Sequence, residues 1–142
     1  ARLRDASRRL GKDWETVEFL AGLPTSAVLR HLEKLPDGSV VFTPGYWQDG
    51  EGRRFTPRES TQALVAASSA PVYVPFNTFV GIGVVGGYML DFEGIGRQAG
   101  RTVNEVLHGT ASASATATMP NVLNVDWRQV QRWGIDERAA PA

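Results

Sequence analysis

The 142-residue sequence has no cysteine, which excludes disulfides, thiolate metal sites and cysteine nucleophiles. It has no excess of either charge, since 15 basic side chains balance 15 acidic ones. That balance argues against a nucleic-acid binder, which carries a basic surplus, and against a polybasic membrane-surface protein. No apolar run approaches the ~18–20 residues that span a bilayer. Histidine occurs only at His31 and His108. Neither has further ligands at metal-binding spacing, so no metal site is expected. Ser68-Ser69 lacks a G-x-S-x-G setting, and no catalytic residues are marked. No initiator Met or signal peptide opens the sequence. It begins at Ala1 inside a basic helical pattern (Arg2, Arg4, Arg8, Arg9), which reads as a processed product or a cut piece.

What is present is a globular composition, 42% hydrophobic and 21% charged, of a size for one domain over 1–142. Strand and helix signals alternate. Residues 2–10 read as a helix and Val17 to Ala21 as a short strand. Thr25 or Ser26 caps a helix to about Lys34, and Leu35-Pro36-Asp37-Gly38 breaks it. Ser39 to Thr43 is a β-branched, apolar run, the pattern of a strand covered on both faces. After a polar, Gly-rich loop, Thr56-Pro57-Arg58-Glu59 combines an N-cap, a first-position proline and a capping-box glutamate. That helix should run to about Ser68. Pro71 to Val74 is the next strand, and a Gly-rich stretch then leads into Gly86 to Leu90, of which Tyr88-Met89-Leu90 continues as strand. Asp91 caps a helix over 92–108, with Ile95, Ala99, Thr102, Val103 and Val106 on one stripe and Gly109 as its stop. Residues 110–120 read as a flexible linker of small side chains. Val122 to Val125 is the last strand, and a second capping box at Asp126 to Gln129 opens a short helix that ends at Gly134.

Strands separated by helices predict βαβ units: a three-layer α/β open sheet, mostly parallel, with helices on both faces. Ligands of such sheets sit outside the carboxyl ends of the strands, which directs attention to loops 22–26, 43–55 and 75–87. In loop 43–55, Tyr46-Trp47-Gln48-Asp49 offers two aromatics, an amide and a carboxylate. It fits either a small-molecule cleft or a surface loop packed on its own helix. Asn77 and Thr78 either hydrogen-bond the same ligand or serve turn chemistry. Trp127 and Trp133 read as packing residues. Segment 81–87, GIGVVGG, satisfies G-x-G-x-x-G, and Glu105 lies where a ribose-binding acid would stand. Its context is wrong for a dinucleotide, because Tyr88-Met89-Leu90 continues as strand before any helix begins. The competing reading is glycines that allow close backbone approach.

Taken in order, these segments resemble a known family. They are GRRFTPRE at 52–59, SSAPVY at 68–73, Asn77-Thr78, GIGVVGGY at 81–88, FEGIGRQA at 92–99, Val125-Asp126-Trp127-Arg128-Gln129, and Arg132-Trp133-Gly134. From about Leu3 to Ile135 the chain looks like the substrate-binding-protein-like sensor region of bacterial membrane histidine kinases. That region is similar to the ABC-transporter substrate-binding family with type I periplasmic-binding-protein lobes. The resemblance implies one Rossmann-like lobe, the C-terminal lobe plus hinge-return segment, of a two-lobed extracytoplasmic (periplasmic) receptor. A small-molecule ligand would bind between lobes and close them. The partners implied are that ligand, the N-terminal lobe of the parent chain and a possible homodimer, with no nucleic acid and no cofactor. The ligand-facing positions implied are Tyr46, Asp49, Asn77, Thr78, Gly83, Val84 and Val85, with Asp126-Trp127-Arg128 in a structural role. The fragment carries no histidine-kinase catalytic motif, so it is expected not to be an enzyme. A solute-binding component of an ABC transporter is the alternative, and a nucleotide-using enzyme domain the third.

Overall fold

The computed structural model describes residues 16–110, 120–136 and 138. Among the described residues four helices and four strands follow one another: α1 (Thr25–Leu32), β1 (Val41–Phe42), α2 (Pro57–Ala67), β2 (Val72–Tyr73), β3 (Gly86–Leu90), α3 (Phe92–Leu107), β4 (Asn121–Val125) and α4 (Trp127–Arg132). A 3₁₀ turn at Asn77–Phe79 lies between β2 and β3. The strands form one open sheet in the order β1-β2-β3-β4. β1, β2 and β3 run parallel, and β4 pairs antiparallel with β3 from Gly86–Val125 to Leu90–Asn121. The chain is therefore mixed α/β with a mostly parallel sheet.

The local cap signals are realised at Thr56 and Asp126 but not at the other two helices: Thr25 is the first residue of α1, after Pro24, and Asp91 precedes α3 without a side-chain capping bond. Thr56 accepts from the Glu59 amide, the Glu59 carboxylate accepts from the Thr56 amide at 2.7 Å, and Pro57 opens α2. Such a cap contributes about 1 kcal/mol. Asp126 accepts from the Arg128 amide and starts α4. The reciprocal half of that expected box is not made, since the buried Gln129 Oε1 has no hydrogen-bond partner.

Three expectations are corrected. Val17 to Ala21 is not a strand: Val17 and Phe19 stay exposed, and only Leu20 turns inward, where it packs beside α1 and α2. β1 is not covered on both faces, because Phe42 is 56% exposed. The series of βαβ units reduces to one helical crossover, β1-α2-β2. The next connection carries only the 3₁₀ turn, and α3 leads into an antiparallel strand. The expected helix at 2–10 and all of the expected linker except Thr110 and Pro120 lie outside the described residues.

Packing is concentrated in two clusters. Val28, Leu32 and Leu64 join α1 to α2, with Leu20, Leu29, Leu35, Val41 and Tyr46 around them. Val72, Val74, Phe79, Val84 and Met89 fill the space beside β2 and β3. Val41 touches both clusters and so links them. The stripe expected on α3 is not buried. Val103 and Val106 are about as exposed as a surface residue, and Gly94 is the helix's buried position.

The glycine run earns its composition at two places. A Cβ at Gly83 would stand 2.6 Å from Val65 Cγ1, so the loop can lie this close to α2 only without a side chain. At Gly86 a Cβ would collide with the Asn124 carbonyl of β4, and φ is +111°. Glycine there sets the spacing of β3 and β4.

Candidate functional site

The carboxyl ends of β1 and β2 open into a cleft of about 530 Å³. This is within the size range of small-molecule sites, and it lies outside the carboxyl ends of the parallel strands. Three segments wall it. Pro44, Gly45 and Trp47 follow β1, Thr56, Pro57 and Arg58 begin α2, and Phe76, Thr78 and Phe79 follow β2. Phe92, the first residue of α3, completes the rim.

The walls are largely aromatic. Phe76 packs edge-on to Phe79, with ring centroids 5.9 Å apart, and lies at 35° to Phe92 at 5.6 Å. Phe79 is buried and anchors the set to the core. Trp47 is 71% exposed, so its indole presents a face to solvent instead of to the core. The charge on the wall comes from Arg58, whose Nη1 donates to the Thr78 carbonyl at 3.0 Å. That bond ties the start of α2 to the 3₁₀ turn after β2.

The loop that carries Trp47 is held by Asp49. Its Oδ2 accepts from the Thr25 amide at 3.1 Å and the Thr25 hydroxyl at 2.8 Å. Its Oδ1 accepts from the amides of Glu51 and Arg53. Desolvation raises the pKa of this carboxyl, but the Thr25, Arg53 and Glu51 bonds together outweigh it and hold the value down at about 2. The Tyr46 hydroxyl donates to the same Thr25 Oγ1 at 3.1 Å, and the Tyr46 ring stands edge-on to Phe55 at 5.5 Å. Thr25 opens α1 without a side-chain cap from its own N-cap residue, Pro24. Asp49 supplies that bond from a distant loop.

The positions expected to face a ligand therefore separate. Thr78 lines the cleft. Tyr46 and Asp49 converge on Thr25 and lock the loop that presents Trp47. Asn77 donates through Nδ2 to Asp91 Oδ1 at 3.3 Å, and its own Oδ1 is buried without a partner. Gly83 packs against Val65. Val84 and Val85 are core residues, almost fully buried, and neither lines the cleft. The Val85 backbone bonds Val72 on one side and Asp126 on the other. Asp126, in turn, is held ionised by the Arg128 guanidinium, which lowers its pKa. The glycine run does not meet a helix N-terminus, because β3 begins at Gly86 and α3 only at Phe92. The dinucleotide arrangement is absent for that reason.

Arg58, Phe76 and Phe92 were not singled out in the sequence. A signal existed for each, since each lies within two residues of an expected strand end or helix start facing the same edge of the sheet. Elsewhere, His31 pairs with Glu18 at 2.8 Å on the surface, and His108 Nδ1 lies 2.8 Å from the Asn104 carbonyl. Among the described residues no three His, Asp or Glu side chains group as a metal site. No helix among them is long and apolar enough to cross a membrane. Comparison with family models, curated proteins and solved structures finds no match to this chain.

Proposed function

We propose that the chain is one Rossmann-like lobe of a two-lobed extracytoplasmic receptor, the ligand-sensing part of a membrane histidine kinase. The observation that carries the reading is the aromatic cleft at the carboxyl ends of parallel strands, open on one side. A ligand held there and covered by a second lobe binds the closed receptor more tightly than the open one. It shifts the population toward closure, and a membrane helix passes the shift to the kinase. The order of motifs from Gly52 to Gly134 supports the family assignment. The apolar side chains left exposed on α3 and β4 support a missing neighbour, which is the N-terminal lobe or, for the isolated lobe, a second copy.

The test is to express the chain within its complete reading frame in membrane vesicles and measure autophosphorylation while small organic ligands are screened. Ligand-dependent phosphate incorporation is the expected result. Ligand-dependent uptake with no kinase activity would assign the lobe to an ABC importer instead. A reading frame that encodes neither a membrane span nor a permease partner would end both readings.

A further inference from the structure

The chemistry of the cleft narrows its ligand. We infer that it takes a small aromatic carboxylate, an anion without an accompanying ammonium group, and this inference rests on the cleft being a ligand site at all. Arg58 carries the first part of the argument. It stands in the first turn of α2, where the helix dipole disfavours a cation. No carboxylate pairs with it among the described residues, whereas Arg97 and Arg128 are engaged by Asp91, Glu93 and Asp126. One guanidinium nitrogen is pinned by the Thr78 carbonyl, which fixes the group at the cleft wall and leaves its other donors for a ligand. A planar fork of donors matches a carboxylate.

The rest of the wall sets the remainder of the molecule. Trp47, Phe76 and Phe92 offer ring faces and edges to an aromatic body, in the offset and edge-on geometries that such rings favour. The wall contains no acidic side chain to receive an ammonium group. The carboxylates adjacent in sequence to the wall are engaged: Glu59 by Thr56, Asp91 by Asn77 and Arg97, and Glu93 by Arg97. A phosphate dianion would call for more than one cation, and the wall holds one.

Calorimetric titration of the chain with phenylacetate, phenylacetamide and phenylalanine tests this. Phenylacetate should bind about tenfold or more tightly than either analogue, the difference that a charge-assisted pair makes. Arg58→Gln should remove that preference and leave phenylacetamide binding unchanged, which also reports that the variant is folded. If the variant does not fold, the acid-to-amide ratio of the unaltered chain decides the matter. Equal binding of acid and amide, or tighter binding of phenylalanine, overturns the carboxylate inference while the cleft remains a ligand site. Binding of none of the three overturns the inference, and the autophosphorylation screen then decides the cleft reading by itself.

Discussion

The helices α2 and α3 are both amphipathic, yet they live in different surroundings. α2 buries Ser60, Thr61 and Leu64 and meets α1 through Val28 and Leu32. α3 is five residues longer, 16 against 11, and buries Gly94. The division extends to the strands. β2 and β3 contribute Val72 and Met89 to the core, while Val122, Leu123 and Val125 of β4 are exposed. Both core clusters are built from residues between Leu20 and Met89. The difference teaches that local signals suffice to form an element but not to occupy it. α3 has a cap residue, a stripe and a stop, and its stripe faces solvent.

The sharpest way to break this comparison is a pair of truncations. Met89→Ala should cost about 2–5 kcal/mol in denaturant unfolding, because Met89 is fully buried in the core. Val106→Ala on α3 should stay within ~0.5 kcal/mol. Equal losses would mean that α3 is packed against something in solution. A second pair uses glycine. Gly86→Ala should destabilise by roughly 1–3 kcal/mol, through a positive φ and a collision with β4. Gly96→Ala, in open space on α3, should stabilise by up to about 1 kcal/mol. Thermal unfolding of the two variants reads both signs.

The smallest effect is in acid. The Asp49 carboxyl has its pKa lowered from 3.8 to about 2 in the fold, so its ionised form is favoured by folding. That stabilisation is complete above the unfolded value and is lost as the pH falls through about 2. Glu59 and Asp126 are lowered as well and add to the same acid limb. Asp49→Asn should therefore lose stability near neutrality, and the gap to the parent should narrow as pH falls from about 4 to 2. Urea midpoints measured across that range give the comparison. A constant gap would assign the loop's attachment to something other than the ionised carboxylate.

Much of this was legible in the sequence where the cause is local. The Thr56-Pro57-Arg58-Glu59 start and the Gly109 stop follow from a cap and from backbone freedom within a few residues. The two-sided burial expected of Ser39 to Thr43 was not legible, because it depends on which distant elements pack on each face of the sheet, and Val40 and Phe42 stay exposed. The site divides in the same way. The loops after β1 and β2 were identifiable from topology. The direction of each side chain within them was not, since Asp49 and Tyr46 turn toward Thr25, more than 20 positions away in the sequence. Arg58 was read as a helix-start residue, and its second role emerges only when the Thr78 carbonyl meets it.

The tether at Asp49 has one more consequence. All four of its donors are neutral, three backbone amides and one hydroxyl. Attraction between opposite full charges on a protein surface weakens as dissolved salt accumulates around them. Short contacts between a carboxylate and neutral N–H and O–H dipoles are far less exposed to that screening. The segment that presents Trp47 should therefore keep its place in a brine as well as in dilute buffer, so that a change of ionic strength leaves the rim of the cleft unaltered.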